Sequence, residues 1–297
     1  MTRVLVTGAS GFVGRSLVPF LSRDHTVRAM VRRRDTAPDL ARHAEVVTGD
    51  LLDPASLHAA CAGVDCVVHL AAVADSSDED LNHRVNVDGT RSLGEAAVAA
   101  GISRFVNVSS TCAGRRLQDA YGRSKRLAED TLDGDALGVT HLRPAMIYGP
   151  GSAEWDLFVR IVGMLPRVPL PGDGRTTLRP VYLEDALLLI GRVLDRDVAV
   201  GRTYDVAGPE PVTTAELVER VGRAQGRRRR ALPIPAPPML LMARLLGKVM
   251  ERPFVNVDQV MAFLQDTEVD IQPARRELGW DPRPLTEGLD AIFGGTP

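Results

Sequence analysis

The sequence predicts an α/β protein in which a doubly wound parallel sheet is joined to a smaller, mixed C-terminal lobe. Short β-branched runs alternate with helical patterns over the first 145 residues, and strands spaced by crossover helices form parallel sheets. A glycine-rich turn follows the first strand directly and opens a helix, as is typical of doubly wound sheets. After residue 150 the alternation loosens and proline becomes frequent, which indicates the second lobe.

The strands of the sheet are predicted from β-branched runs of four to six residues. In chain order these runs are Arg3–Thr7, Thr26–Val31, Glu45–Thr48, Asp65–Leu70, Arg104–Ser109 and Val139–Arg143. The helices between them are predicted over Phe12–Ser22, Pro54–Cys61, Leu81–Ala100 and Tyr121–Leu132. This order gives the repeated strand–helix–strand units of a parallel sheet.

The C-terminal part contains two further segments with strand character, Pro180–Leu183 and Thr203–Val206, separated by the helix Glu184–Leu194. Other helices are predicted over Thr213–Gln225, Pro237–Met250, Val257–Leu264 and Leu285–Ile292. We expect a first domain over residues 1–150 that also receives parts of 180–206. A smaller lobe over residues 151–297 is expected to be interleaved with it.

Composition narrows the class of function. A net charge of −2, with 44% hydrophobic and 25% charged residues, gives no general attraction to nucleic acid or acidic membranes. No apolar run is long enough to span a bilayer. Three cysteines without paired spacing, and a start that reads as a strand and not a signal peptide, favour reduced thiols in the cytoplasm. Histidine and cysteine spacings match no metal motif, so we expect no metal.

The turn after the first strand has glycines spaced G-x-x-G-x-x-G at Gly8, Gly11 and Gly14. Gly8 suits the tight turn, Gly11 allows backbone to approach a pyrophosphate, and Gly14 lets the helix lie close to the strand. The helix N-terminus then offers free N–H groups to phosphates. Residues 1–150 are therefore expected to form an NAD(P)-binding domain of Rossmann type, with a cradle lined by Gly8, Ser10, Gly11, Phe12, Val13 and Gly14.

The end of the second strand bears on the choice of cofactor. An NAD-selective site usually offers a carboxylate to the adenosine ribose there, whereas this chain has Arg32 and Arg33. Because arginines bind a 2′-phosphate and a carboxylate would repel it, we expect NADP to be favoured, with NAD possible. The alternative is a solvated arginine cluster. Asp50, after the third strand, is placed to accept a hydrogen bond from the adenine amino group.

Lysine is rare in this chain. Lys125 and Lys248 are the two lysines among 36 cationic residues, which leaves 34 arginines (36 − 2). Lys125 follows Tyr121 by four residues, so the two side chains are expected on one helix face. An ammonium beside a phenol lowers the pKa of the phenol, which makes a tyrosine able to exchange a proton with an alcohol oxygen. The alternative is a surface tyrosine that packs on a lysine stem.

With both motifs in place, the chain resembles the extended short-chain dehydrogenase/reductase family, also known as the NAD-dependent epimerase/dehydratase family. Further matching segments are His69–Ala72, Asn86–Thr90, Val108–Thr111, Leu142–Pro150, Val181–Ala186 and Leu278–Pro282. The resemblance implies that Thr111 orients the substrate oxygen, with Ser110 as its neighbouring alternative. It implies that Tyr121 is the acid/base and that Lys125 binds the nicotinamide ribose and holds the tyrosine pKa down.

The same resemblance implies additional contacts with the cofactor, from Leu51, Leu70, Ala71, Ala72, Asn86, Val108, Ser109, Pro144, Ala145 and Ile147. For Asn86 the alternative is a structural residue that ties neighbouring segments together. Trp280 is expected in the core of the C-terminal lobe and not on the substrate. In many members of the family, the two helices that correspond to Leu81–Ala100 and Tyr121–Leu132 form the contact surface of a homodimer.

Two departures separate the chain from the nucleotide-sugar enzymes of the family. Nine residues separate Thr111 from Tyr121, where those enzymes usually carry a longer loop. Leu178 and Tyr182 stand where they often have an arginine and a histidine, and Arg179 is adjacent. The stretch from Leu170 to Glu210 is closer to a subgroup that resembles the NADPH-binding accessory subunit of respiratory complex I, in which catalysis is not guaranteed.

These observations predict an NADP(H)-preferring oxidoreductase that acts on a carbonyl or carbinol carbon of a small molecule. The alternatives are a nucleotide-sugar epimerase or dehydratase, and a protein that binds NADPH without catalysis. The run Arg227–Arg230 is either a solvated turn before a strand or a site for an anion or lipid.

Overall fold

The computed structural model describes residues 1–74, 78–115, 119–134, 136–249, 260–261 and 263–294. Its contacts divide the chain into two units. The first unit comprises Met1–Pro144, Glu184–Val206 and Asp270–Trp280, and the second comprises Ala145–Leu183, Ala207–Val269 and Asp281–Pro297. Most of the first half of the predicted helix Val257–Leu264, and Met250 at the end of the preceding one, lie outside the described residues.

The strands of the described chain, in order, are β1 Arg3–Thr7, β2 Thr26–Val31, β3 Glu45–Thr48, β4 Cys66–His69, β5 Arg104–Val108, β6 Gly138–Pro144, β7 Ile147–Tyr148, β8 Arg167–Pro171, β9 Thr177–Leu178, β10 Val181–Tyr182, β11 Thr203–Val206, β12 Val212–Thr213 and β13 Arg230–Ile234.

The helices are α1 Phe12–Leu21, α2 Pro54–Cys61, α3 Glu79–Asn82, α4 Gly89–Ala99, α5 Ala120–Leu132, α6 Ala153–Met164, α7 Leu183–Asp195, α8 Thr214–Ala224, α9 Ala236–Val249, α10 Gln272–Leu278 and α11 Leu285–Phe293. A π-helical turn over His83–Asp88 joins α3 to α4.

The first unit contains a seven-stranded sheet in the order β11-β6-β5-β4-β1-β2-β3, and each neighbouring pair is parallel. The chain runs outward from β1 through β2 to β3, then returns to the other side of β1 at β4. This reversal is the point at which doubly wound sheets bind ligands, beyond the carboxyl ends of the strands. The predicted fold class, a Rossmann-type sheet with crossover helices, is confirmed.

The central strands are apolar in their middle positions because helices cover both faces of the sheet. Val4, Leu5 and Val6 are each fully buried. On one face Leu5 packs with Phe105 of β5 and with Leu57 of α2, among other buried residues. A continuous core of this kind fixes the positions of the strand ends from which the candidate site is built.

The second unit contains short ladders around its own core. Strand β7 pairs with β10, β9 with β12, and β8 with β13. The core collects Tyr148, Trp155 of α6, Leu170 of β8 and Leu217 of α8. The ring centroids of Tyr148 and Trp155 lie 5.0 Å apart, within the range of favourable aromatic pairs.

Several elements of the second half differ from the prediction. The segment predicted as Pro180–Leu183 is shortened to β10, and it pairs with β7 in the second unit, not with the large sheet. Strands β8 and β13 were missed because prolines at Pro169, Pro171 and Pro233 hide the strand pattern. Helix α6 was also missed, although Ser152 accepts a hydrogen bond from the Trp155 N–H and caps it.

Trp280 is buried, as predicted, but in the first unit and not in the C-terminal lobe. Its indole N–H donates to the carbonyl oxygen of Asp185 at 2.8 Å. Residues near the C-terminus therefore complete the unit that the N-terminus begins.

Candidate active site

The glycine turn leaves no room for side chains where it meets the neighbouring strand. Gly8 has φ +65°, and a Cβ there would lie 2.7 Å from the backbone N of Ala71. A Cβ on Gly14 would meet the Gly8 carbonyl oxygen and lie 2.7 Å from Ala9 Cα. Gly11 is the N-cap of α1, so the first amides of this helix are reached without passing a side chain. This geometry fits the pyrophosphate of a dinucleotide.

Other predicted residues of the cradle lie in the same turn. Ser10, Phe12 and Val13 are half-buried at the start of α1. The Ser10 carbonyl oxygen accepts a hydrogen bond from Arg15 Nε at 2.9 Å, and Arg15 also donates to the Thr36 carbonyl oxygen. Arg15, which the sequence analysis did not single out, therefore links the turn to the segment after β2.

The arginines after β2 are exposed. Arg33 donates to both carboxylate oxygens of Asp35, at 3.1 and 2.5 Å, and this hydrogen bond raises the pKa of Arg33. Both partners are exposed, so the ion pair is weak and can be exchanged for another anion. Asp35 places a carboxylate beside the predicted phosphate-binding arginines, which sequence reasoning overlooked. Arg32 is exposed beside Arg33.

Asp50 and Leu51 follow β3. One carboxylate oxygen of Asp50 accepts the Leu52 N–H at 2.9 Å, which shapes the turn. Leu51 is buried and lies against Gly89 of α4, where a Cβ would come within 2.8 Å of it. Asp50 is thus held at the strand end, and Leu51 packs behind it.

A chain of buried hydrogen bonds starts at the carboxyl end of β1. Thr7 Oγ1 lies 2.7 Å from His69 Nδ1, His69 Nε2 lies 2.9 Å from Thr90 Oγ1, and the Thr90 hydroxyl donates to the Asn86 carbonyl oxygen at 2.6 Å. Because the Thr90 proton is used there, His69 Nε2–H must be the donor to Thr90, and Nδ1 accepts from the Thr7 hydroxyl. Thr7 Oγ1 also accepts the Ala71 N–H at 3.3 Å.

This chain fixes the segment that follows β4. Ala71 is one of the predicted cofactor contacts, with Leu70 and Ala72 beside it, and its N–H is bound to Thr7. Burial, together with the positive charge of Lys125, lowers the pKa of His69 to about 3. The imidazole is therefore neutral at physiological pH, as its two hydrogen bonds require.

Asn86 projects from the π-helical turn and continues the network. Its Oδ1 accepts the Val73 N–H at 2.8 Å, and its Nδ2 lies within hydrogen-bond distance of the Val73 carbonyl oxygen, Asn82 Oδ1 and Ser124 Oγ. These contacts favour the structural alternative for Asn86. A π turn re-aims side chains relative to a regular helix, and here it directs Asn86 to α5.

Helix α5 begins against the turn that carries Thr111. Asp119 caps the helix by accepting the Gly122 N–H at 2.6 Å. A Cβ on Gly122 would lie 2.9 Å from the Cys112 carbonyl oxygen, so only glycine allows this approach. Thr111 and Tyr121 are both half-buried in the two segments that meet here. Asp119 and Gly122 were missed by sequence reasoning, although their D-x-x-G spacing is a recognisable cap.

Lys125 lies one turn further along α5 and is buried, with 4% of its surface exposed. Its Nζ donates to the carbonyl oxygen of Val108, at the end of β5, at 2.8 Å. Burial lowers the pKa of Lys125 to about 8, although the carboxylate of Glu129 raises it in part. Val108 and Ser109, both predicted cofactor contacts, are therefore at the strand end that Lys125 touches.

Glu129 supplies the compensating negative charge. Its two carboxylate oxygens accept from Arg143 at 2.9 and 2.6 Å. Burial alone would raise the pKa of Glu129, but the hydrogen bonds from Arg143 and its positive charge hold the pKa below its usual value. A row of alternating charges, formed by Lys125, Glu129 and Arg143, therefore lies between the end of β5, helix α5 and strand β6.

The remaining predicted residues follow β6. Pro144 is buried at the end of that strand in the first unit, whereas Ala145 and Ile147 belong to the second unit. Their cofactor contacts stay predictions.

In the second unit, the positions that distinguish nucleotide-sugar enzymes are occupied by packed residues. Leu178 is buried in the core, and Arg179 donates to the Pro209 carbonyl oxygen at 3.2 Å. Tyr182 is buried, with the Arg283 guanidinium 4.7 Å from its ring centroid. Arg179 is therefore committed to the backbone within its own unit.

Within the part of the chain that the structure describes, no group of three or more His, Cys, Asp or Glu side chains is placed to hold a metal ion. A search of the same residues finds no helix both long and apolar enough to cross a bilayer.

The parallel sheet, the glycine turn at its reversal point and the Tyr121–Lys125 helix define a nicotinamide-dinucleotide-binding protein of Rossmann type. The sequence profile of the NAD(P)H-binding family matches residues 8–156. The chain belongs to this family, within the extended short-chain dehydrogenase/reductases, as the resemblance predicted.

Three relatives illustrate the range of the family. The chain is 30% identical to a ceramide reductase of Caulobacter vibrioides, over 98% of this chain and 90% of that protein. It is also 30% identical to the UDP-glucose 4-epimerase of Vibrio cholerae, over 96% and 93% of the two chains. Subunit 9 of the NADH dehydrogenase [ubiquinone] 1 alpha subcomplex of Arabidopsis thaliana is 30% identical, over 89% of this chain and 70% of that protein.

The fold recurs in solved structures. The UDP-glucuronic acid 4-epimerase of Bacillus cereus, in complex with UDP-glucuronic acid and NAD, superposes with a TM-score of 0.78. The two chains share 19% identity, and the match covers 98% of each.

Proposed function

We propose that this protein is an NADP(H)-preferring oxidoreductase that transfers hydride to or from a carbonyl or carbinol carbon of a small, uncharged molecule. The observation that carries the proposal is the Tyr121–Lys125 pair on α5, with Lys125 buried and held at the end of β5 by Val108. A buried ammonium one helical turn from a half-buried tyrosine is suited to support proton exchange with an alcohol oxygen.

The residues of the first unit have distinct parts in this proposal. The backbone amides at the start of α1 bind the pyrophosphate, with Gly8, Gly11 and Gly14 allowing its approach. The nicotinamide supplies the hydride chemistry when bound. Thr111 donates a hydrogen bond to the substrate oxygen, and Tyr121 gives that oxygen a proton or takes one from it. Lys125 stabilises the negative charge that Tyr121 carries when deprotonated.

The preference for an uncharged substrate rests on the second unit. Leu178 is buried and offers no polar group to a nucleotide diphosphate, and Arg179 already donates one hydrogen bond to the Pro209 carbonyl oxygen. The ceramide reductase relative also acts, by its name, on a substrate without a nucleotide. Turnover should therefore be found among ketones of apolar molecules and not with UDP-glucose.

The decisive test of catalysis is Tyr121→Phe. With any substrate that is turned over, this change should lower kcat by orders of magnitude, because general acid/base groups contribute about 10²- to 10⁴-fold. The dissociation constant for NADPH, measured by calorimetry, should change little. A small loss of kcat would remove the acid/base role of Tyr121.

Cofactor preference is tested separately by calorimetry. NADPH should bind at least several-fold more tightly than NADH, because Arg32 and Arg33 can bind the 2′-phosphate. Replacing both arginines by serine should abolish the difference, whereas Asp35→Ser should increase it by freeing Arg33 from its ion pair. Equal affinities in the wild-type protein would remove the role proposed for Arg32.

A second candidate, a nucleotide-sugar epimerase or dehydratase, is favoured by the similarity to UDP-glucose 4-epimerase. It would return the hydride within one cycle, so turnover would leave the nicotinamide absorbance unchanged. A third, NADPH binding without catalysis, is suggested by the complex I relative. It would be supported if Tyr121→Phe left the biological effect of the protein unchanged while the Arg32/Arg33 double substitution removed it.

A homodimer through the helices around Tyr121 is also proposed. Val98 of α4 and Leu127 of α5 are each 45% exposed, which is suited to a helix–helix contact. Light scattering should give the mass of two chains, and Leu127→Asp should give the mass of one.

A further inference from the structure

Helix α9 in the second unit has an apolar stripe on its solvent side. Pro238, Leu241, Met242 and Leu245 follow the i, i+3, i+4, i+7 spacing of one helix face. Leu241, Met242 and Leu245 are 57%, 41% and 54% exposed, and Pro238 is also exposed. The opposite face packs into a small core through Met239 and Ala243. An exposed apolar stripe in addition to a packed one marks a surface that meets a partner.

The strand before α9 extends this surface. Along β13, Arg230, Leu232 and Ile234 project to the same face because side chains alternate. Ile234 packs into the core beneath α9, so the helix lies on this face and Leu232, 41% exposed, lies beside it. Arg167 and Pro169 of β8 stand opposite Arg230 and Leu232 in the register, and both are exposed.

The arginines of the run Arg227–Arg230 fall into two groups, those that donate to backbone carbonyl oxygens and those that remain exposed. Arg229 donates to the carbonyl oxygens of Val162 and Gly163 at 2.8 and 2.9 Å, and Arg227 donates to Gly163. These two arginines therefore hold the C-terminal end of α6. Arg228 and Arg230 remain exposed, and Arg230 faces Arg167 across the ladder.

The sequence segments that contain β8, β13 and α9 are rich in arginine, although the whole chain is not cationic. No Asp or Glu occurs in the sequence from residue 157 to 172 or from 220 to 249. These two segments therefore carry only positive charge, although the net charge of the whole chain is −2. Apolar side chains are flanked by arginines whose aliphatic stems can lie in the same plane.

We propose that this α9 face, consisting of Arg167, Arg230, Leu232, Leu241, Met242 and Leu245, docks on an anionic lipid bilayer. Leu241, Met242 and Leu245 enter the boundary between headgroups and acyl chains, and the two arginines bind lipid phosphates. With 14 residues, α9 is too short to span a bilayer, so it lies in the plane of the interface.

Charge complementarity selects this occupant over a second copy of the chain. An isologous contact would bring the same patch of both copies together and set their arginines against each other. An anionic bilayer satisfies the arginines and covers the apolar stripe at once. This inference goes beyond the proposed function and does not depend on it.

The test is co-sedimentation with vesicles of phosphatidylcholine alone or mixed with phosphatidylglycerol. The wild-type protein should sediment with the mixed vesicles and not with the neutral ones, and high salt should release it. Leu241→Asp/Leu245→Asp and Arg167→Glu/Arg230→Glu should each weaken binding by about tenfold or more. Val198→Asp and Arg42→Glu, which change equally accessible side chains of the first unit, should bind like the wild type.

Because all the changed side chains are on the surface, we expect each variant to fold. Far-ultraviolet circular dichroism and NADPH binding verify this. The proposal would be overturned if the protein sedimented equally with neutral and anionic vesicles. It would also be overturned if the α9 variants bound the vesicles as well as the wild type does. Absence of vesicle binding together with a self-association that Leu241→Asp/Leu245→Asp abolishes would overturn it as well, because a second copy would then cover the stripe.

Discussion

Lys125 is a charged side chain in a buried position. Its ammonium donates to the Val108 carbonyl oxygen, and Glu129, one turn further along the helix, opposes the effect of burial on its pKa. With a pKa of about 8, it is mostly protonated at pH 7 and can lose its proton within the working range of an enzyme. Arginine at this position could not titrate.

A pH dependence follows for turnover. In the proposed mechanism the charge of Lys125 stabilises deprotonated Tyr121. Lys125 loses that charge above its pKa of about 8, so kcat/KM should fall as pH rises through that value. Lys125→Arg, which stays charged, should have low activity without this decline, and Lys125→Met should have almost none. A wild-type profile that stays flat from pH 7 to about 9.5 would contradict the assignment.

His69 links pH to stability with a defined sign. The unfolded chain protonates this histidine below about pH 6.5, whereas the folded protein does so only near its pKa of about 3. Between these values the unfolded state binds more protons, so the stability that neutral His69 contributes is lost as pH falls.

His69→Asn should therefore lower the free energy of unfolding by about 2 kcal/mol at pH 8, because Thr7 and Thr90 lose a buried partner. The gap from the wild type should narrow below pH 6.5, by up to about 1.4 kcal/mol for each pH unit. Urea unfolding over this pH range measures it. A gap that stays constant would mean that His69 is not kept neutral.

At the scale of an element, the β1–α1 turn combines a left-handed backbone with a close approach. Gly8 has φ +65° and lies against the backbone of Ala71, whereas Gly101 has φ +75° and open space around it. A side chain at either glycine would incur the cost of a positive φ, but only at Gly8 would it also meet a neighbouring backbone segment. The two positions are therefore a matched pair for substitution.

Gly101→Ala should lower stability by about 1 kcal/mol, the cost of a left-handed non-glycine residue. Gly8→Ala should cost more and should also weaken NADPH binding, because the new Cβ pushes the segment at Ala71 away from β1. Calorimetry and thermal unfolding of both variants separate the two effects. Equal behaviour would show that the approach at Gly8 is not needed.

Sequence reasoning succeeded where the signal is local. The glycine spacing, the strands of the large sheet and the Tyr-x-x-x-Lys pair each lie within a few residues, and all take the predicted elements. The His69 network was not predicted, since Thr7, Thr90 and Ser124 meet only after the sheet has formed. The ladder of β8 and β13 was missed for a related reason, because its pairing joins residues some 60 positions apart.

At the scale of the whole molecule, each unit has its own tryptophan. Trp155 is buried in the second unit and Trp280 in the first, and the chain has two tryptophans in all. The fluorescence of Trp155→Phe therefore reports the first unit, and that of Trp280→Phe reports the second.

The chain passes between the units five times, at the boundaries after Pro144, Leu183, Val206, Val269 and Trp280. We expect the two variants to unfold with a single midpoint in urea, because neither unit is a continuous segment that can fold first. NADPH at about 100 times its dissociation constant should stabilise the protein by about 2.7 kcal/mol and shift both signals together. Two separate midpoints would show independent units.

The place of β11 at the edge of the sheet has a consequence for synthesis on the ribosome. Strand β6 ends at Pro144, and its partner β11 starts at Thr203, 59 residues later (203 − 144). At a translation rate of about 5 to 20 residues per second, the open edge of β6 waits roughly 3 to 12 s for its neighbour. During that time the nascent chain presents a strand with one unpaired edge, and we expect chaperones that bind nascent chains to engage this protein there.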